Sequence, residues 1–167
     1  MAGLSPKKIL VVYDSRDGTT KKVADVVAEG ARRVSKIIVE LKKADEVTAQ
    51  DVVGVDGFAF GSPSHFGLMS GKILTILTDL YAVRDKMSGK PMTVFTTGAG
   101  DQAAALQHIE QIIAVFKPEH VKPGLAIETV SGRAAPWEVD RANAADLGER
   151  LAKAVTKERP YDSKDLF

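Results

Sequence analysis

The chain has 167 residues, 44% of them hydrophobic and 27% charged, with a formal net charge of +1 and no cysteine. This length allows one domain with a sizeable core, and the composition is that of an ordinary globular protein. Missing thiols exclude disulfides, thiolate nucleophiles and Cys-ligated metals, no apolar run is long enough to cross a bilayer, and the near-neutral charge lacks the basic field of a nucleic-acid binder.

Met1 to Lys8 has no apolar stretch of signal-peptide length, which with the missing cysteine suits a cytoplasmic setting. Ile9 to Tyr13 is a continuous apolar run, the pattern of a strand covered on both faces. A polar loop, Asp14 to Thr20, leads into a helix whose Val23, Val26, Val27, Ala31 and Val34 share one face. Ile37 to Leu41 predicts a second strand, and Asp45 to Val55 a short helix. Phe58 to Phe60 predicts a third strand, cut off by Gly61-Ser62-Pro63. Ile73, Ile76, Leu77, Leu80 and Tyr81 mark an amphipathic helix.

Met92 to Phe95 predicts the fourth strand, followed by Thr96-Thr97-Gly98-Ala99-Gly100 and by Asp101 as an N-cap. Leu106, Ile109, Ile113 and Phe116 give the next helix its core face, and Pro118 stops it. Leu125 to Ile127 is the fifth strand. A loop with Gly132, Pro136 and Trp137 precedes a last helix carrying Ala144, Leu147, Leu151, Ala154 and Val155. The expected organisation is a single domain over residues 1–160 and a tail over 161–167. Five strand–helix alternations predict a doubly wound parallel α/β sheet with helices on both faces. Ligands of such sheets sit at the carboxyl ends of the strands, here the loops after strands one, three and four.

Ser15 to Thr20 combines hydroxyls, Gly18 and a helix N-terminus, an anion site by construction. It serves equally well as a capped helix start. Ser15, Thr19 and Thr20 are candidate hydroxyl donors to a phosphate, Arg16 a candidate ion-pair partner, and Asp17 is expected to face away from a dianion. In the second loop, Phe66 is a candidate to lie on an aromatic ring, or else plugs the core; Gly67 would let backbone approach a ligand. The third loop continues through Gln102 and Ala103 as Gly-x-Gly-x-x-Ala, but at strand four and without an acidic residue at the end of the next strand at the right distance. The glycines therefore read as backbone passing close to something flat rather than as a dinucleotide fingerprint. His65, His108 and His120 lack metal-ligand spacing, with His108 read as surface. Ser62 and Ser64 lack a nucleophile elbow.

The run from Val11 to Val27 resembles the phosphate-loop signature of the flavodoxin superfamily, and every specified position is met. The stretch Gly61 to Gly67 with Met69-Ser70-Gly71, and the Thr96 to Gly100 loop, are similar to the tryptophan-repressor-binding-protein type of NAD(P)H:quinone oxidoreductases. The resemblance implies a five-stranded sheet of order 2-1-3-4-5 and FMN as cofactor. By it, Ser15, Gly18, Thr19 and Thr20 hold the FMN phosphate, with Arg16 lining it and Asp17 in the same loop. Pro63, Ser64, His65, Phe66 and Gly67 frame the flavin, with the Gly67 peptide near its N5. Thr96, Thr97, Gly98, Ala99 and Gly100 follow the ribityl chain and the pyrimidine edge.

The implied function is transfer from NAD(P)H through FMN to a quinone-like acceptor; the alternative is an electron carrier that docks with partner proteins. Carrier flavodoxins usually stack the flavin between Trp and Tyr and are strongly acidic. Here only Phe66 is available, and the net charge is +1. Trp137 is open to two roles, covering the flavin or stapling the start of the last helix. Self-association is left open.

Overall fold

Ile9 to Val12 have no solvent-exposed surface in the computed structural model, which describes residues 5–129 and 137–157. They form the middle of β1 (Lys7–Tyr13), which lies parallel between β2 (Ile37–Lys43) and β3 (Gly57–His65). β3 pairs in parallel with β5 (Pro91–Gly98). The last position is shared by two short strands, β6 (Glu119–His120) and β7 (Leu125–Glu128), each parallel to β5. The expected 2-1-3-4-5 order is therefore present, with its fifth strand in two pieces.

Helices cover both faces, which is why the central strands are buried along most of their length rather than on alternate residues. On one face, α1 (Thr19–Arg32) and α4 (Trp137–Thr156) pack Val23, Val27, Leu147 and Leu151 with Ile9 and Val11. On the other, α2 (Gly71–Leu80) and α3 (Gln102–Ile113) pack Ile73, Leu77 and Ile109 with Leu10, Val12, Phe58 and Phe60. The α1–α4 crossing is close because both helices present glycine. A methyl at Gly30 would collide with the Ala145 carbonyl, and one at Gly148 with the Val27 carbonyl.

Three local expectations are corrected. Gly61-Ser62-Pro63 does not end the third strand, which runs to His65. Gly61 lies under the Phe95 ring, where a side chain would clash, so this glycine serves packing and not a turn. β1 stops pairing with β3 at Gly61, so Pro63 faces a neighbour on one side only, where proline is tolerated. The fourth strand likewise continues through Thr96, Thr97 and Gly98, which are paired with β7. Asp45 to Val55 holds two single 3₁₀ turns, Ala44–Glu46 and Ala49–Val52, and no α-helix. Thr48 and Asp51 close the second turn as a reciprocal capping box, and the segment lacks a long apolar stripe to bury.

Candidate functional site

The loop between β1 and α1 is built around Gly18, which sits at φ 94° as the N-cap of α1. That left-handed conformation favours glycine. The Ser15 hydroxyl oxygen accepts from the Gly18 and Lys21 N–H groups, both at 3.1 Å. Asp17 does not face away as expected: its Oδ1 accepts from the Thr19 N–H at 3.0 Å. The bonds from Thr19 hold the Asp17 carboxyl below its ordinary pKa, with Arg16 adding a smaller effect. Thr20 is buried, and its hydroxyl is 2.8 Å from that of Thr97 on β5. It ties the first loop to the third instead of standing free.

Beyond the sheet, β3 folds back as a hairpin onto β4 (Leu68–Met69), with Ser64 opposite Met69 and His65 opposite Leu68. The two turn residues, Phe66 and Gly67, have φ of 56° and 79°. Positive φ at both positions marks a type I′ turn, which matches the twist of a hairpin. Phe66 is 99% exposed at the tip, so it does not plug the core. Gly67 has a second constraint, since a side chain there would press on Ala104.

The hairpin is held by side chains that sequence reasoning passed over. Ser62, dismissed as a nucleophile, donates to the Pro63 carbonyl at 2.7 Å and accepts from the Ser70 N–H at 2.8 Å. Ser70 in turn caps α2 by accepting from the Ile73 N–H. Ser64 donates to the Asp101 carbonyl at 3.2 Å and accepts from the Gly67 N–H at 3.2 Å. His108, expected at the surface, is partly buried, and its Nδ1 accepts from the Met69 N–H at 3.2 Å. These side chains bond to backbone groups, most of them three or more positions away, and left no signal in the sequence.

In the third region, Thr96 and Thr97 are buried framework, with the Thr96 hydroxyl donating to the Gln102 carbonyl at 2.7 Å. Only Ala99, Gly100 and Asp101 form the turn before α3. Asp101 stands at the N-cap position but makes no side-chain cap; the Gln102 side chain accepts from the Gly100 N–H instead. Gly98 runs close to Ser64, whose Cβ a methyl there would approach to 2.9 Å. The three expected regions thus meet at one end of the sheet, joined by the Thr20–Thr97 and Ser64–Asp101 contacts.

A groove of about 800 Å³ opens between the first loop, His65 and the start of α2, lined also by Ala44, Asp45 and Val47. Of the candidate residues it includes Ser15, Arg16 and His65, and none from the third region. A smaller cleft of about 240 Å³ lies against Ser15 and Gly18 and is bordered by Lys21, Lys43 and Lys72. Lys21 pairs with Asp25 at 2.9 Å and Lys72 with Asp45 at 3.2 Å. Trp137 lines neither cavity; it is the first residue of α4, packed against the α1–α4 cluster with the Lys22 ammonium, in the first turn of α1, 4.0 Å from its ring centre. Gly132, Pro136 and the tail fall outside the described residues.

Residues 10–123 match the family model of the flavodoxin domain. The chain belongs to that family. A flavodoxin of Aquifex aeolicus is 38% identical over 111 residues, which are 64% of this chain and 60% of that protein. The chain therefore aligns with about 60% of the length of this curated relative. Among solved structures, a flavodoxin from the domain Archaea superposes with a TM-score of 0.79 at 20% identity, covering 90% of this chain and 99% of that one. Oxidised flavodoxin 2 from Bacillus cereus gives 0.73 at 23% identity, covering 87% of this chain and 98% of the other. These two likenesses establish the fold. Among the described residues, no helix of the family domain is long and apolar enough to cross a membrane.

Proposed function

We propose that this chain binds FMN and carries electrons through it as a flavodoxin-type protein. The observation that carries this reading is the first loop. One of its amides, that of Thr19, already holds an oxyanion, the Asp17 carboxylate, two more donate to the Ser15 hydroxyl, and three lysines border the adjoining cleft together with Asp14 and Asp45. This donor chemistry fits a phosphate. Ser15, Gly18 and Thr19 would hold it, with Arg16 and Lys21 supplying charge. The Phe66–Gly67 turn and the Gly98–Gly100 backbone would frame the ring, with Gly100, at φ 128°, the position where no neighbour crowds the backbone. When bound, FMN supplies the one- and two-electron chemistry, and the protein supplies orientation and electrostatics. Thr20, joined to Thr97, keeps the phosphate loop in fixed relation to the third region.

A second reading, NAD(P)H:quinone oxidoreductase, is favoured by the 800 Å³ groove beside Arg16 and His65, which has room for a small acceptor. The near-neutral charge also lacks the acidic field that steers a carrier to basic partners. A cytoplasmic setting suits both readings.

Titration with FMN, followed by quenching of flavin fluorescence with riboflavin as the control, tests the cofactor. Binding of FMN is the expected result, and no quenching would overturn the proposal. Steady-state NAD(P)H oxidation with a soluble quinone then separates the two readings. Absence of turnover by FMN-loaded protein supports the carrier, and sustained turnover supports the reductase.

A further inference from the structure

We propose that Asp17 sets how strongly this chain prefers a flavin bearing a phosphate over one without. This rests on the FMN reading above. The start of α1 has three N–H groups turned to side-chain acceptors in its own loop. Gly18 and Lys21 donate to the neutral Ser15 hydroxyl, and Thr19 donates to the Asp17 carboxylate at 3.0 Å. A phosphate entering the loop meets a unit negative charge on one of the amides it needs. It must share the Thr19 N–H or displace the carboxylate, and it is repelled in either case. The bond from Thr19 also keeps Asp17 ionised, with its pKa below the ordinary range. The neighbouring cations Arg16, Lys21, Lys43 and Lys72 share these cavities with Asp14 and Asp45, and Lys21 and Lys72 are already paired with Asp25 and Asp45, so they offset the repulsion only in part. A flavin that ends in a hydroxyl meets no such penalty. The phosphate thus adds less to affinity here than the donor set alone would give, and Asp17 is the cause.

Asp17→Asn is the discriminating variant, because its side-chain oxygen can still accept from Thr19 while the charge is gone. FMN and riboflavin are titrated into both proteins at low and at high ionic strength. Asp17 is exposed, so the repulsion is that of a partly screened pair, and the variant is expected to bind FMN about tenfold more tightly at low salt. Riboflavin affinity is expected to stay the same, and the FMN gain to shrink at high salt. Asp17→Thr provides the same comparison with a hydroxyl, and far-UV circular dichroism verifies that both variants fold. FMN binding that is unchanged or weaker in both folded variants would overturn the role of Asp17 while leaving the FMN reading intact. Absence of FMN binding in wild type and variants alike would overturn both.

Discussion

Phe66 is a bulky residue in the left-handed region, at φ 56°, with its ring almost wholly exposed. The backbone strain is about 1–2 kcal/mol, and burial of the ring returns nothing in this structure. Observed strain of this kind points to function. Asn-Gly is the pair that a type I′ turn favours. Phe66→Asn is therefore expected to stabilise the protein by about 1 kcal/mol in urea unfolding without flavin, while weakening FMN binding. If FMN affinity and the flavin spectrum were unchanged, Phe66 would have no part in holding the ring. Asp17 belongs to the same scale. Its residue type implied avoidance of a phosphate, yet the nearest donor, two residues on, captures it.

Between elements, the α1–α4 pair shows how much small residues decide. Gly148 is in mid-helix, where alanine would add roughly 1 kcal/mol of helix propensity. The Val27 carbonyl occupies the space its methyl would need. Gly148→Ala is expected to destabilise by about 2 kcal/mol net and to lower Tm by roughly 4–8 °C, as read by thermal unfolding. An unchanged Tm would mean that the helices separate freely. Because α1 carries the Ser15 to Thr20 loop at its N-terminus, this packing also fixes where the loop stands. The β3–β4 hairpin is held differently, by Ser62, Ser64 and His108 bonding to backbone.

Across the whole molecule, stability is coupled to pH at the end of the sheet away from the loops. His120 lies on β6, beside the first residues of β5, with its buried Nε2 unpartnered. Burial, with help from Lys122, lowers its pKa below the ordinary 6.5, against an opposing pull from Glu110. The unfolded chain therefore takes up the proton first as pH falls. Stability contributed by neutral His120 is present above pH 6.5 and is lost as pH drops through that value towards the folded pKa. Asp51, lowered mainly by its bond from Lys42, adds a further loss only below 3.8. The urea midpoint should fall between about pH 7.5 and 5.5, and fall less in His120→Gln. Equal slopes would remove His120 as the source.

Periodicity and composition by themselves determined the alternation of strands and helices, the parallel sheet and the three loop regions. Continuous apolar runs such as Ile9 to Tyr13 have few alternatives to a doubly covered strand. The glycine-capped loop from Ser15 to Thr20 was legible because Gly18 and its hydroxyl neighbours are consecutive in sequence. Only the tertiary structure decided where β3 and β5 end, since Gly61 and Pro63 are turn formers that here answer to the Phe95 ring and a one-sided neighbour. It alone turned Thr20 inward to Thr97, placed Trp137 against Lys22 and the α1–α4 cluster, and made His108 an anchor for the hairpin. The physical reason is common to all of these. A polar or aromatic side chain is satisfied by whichever partner the fold brings within reach, and a partner tens of residues away leaves no periodicity to read.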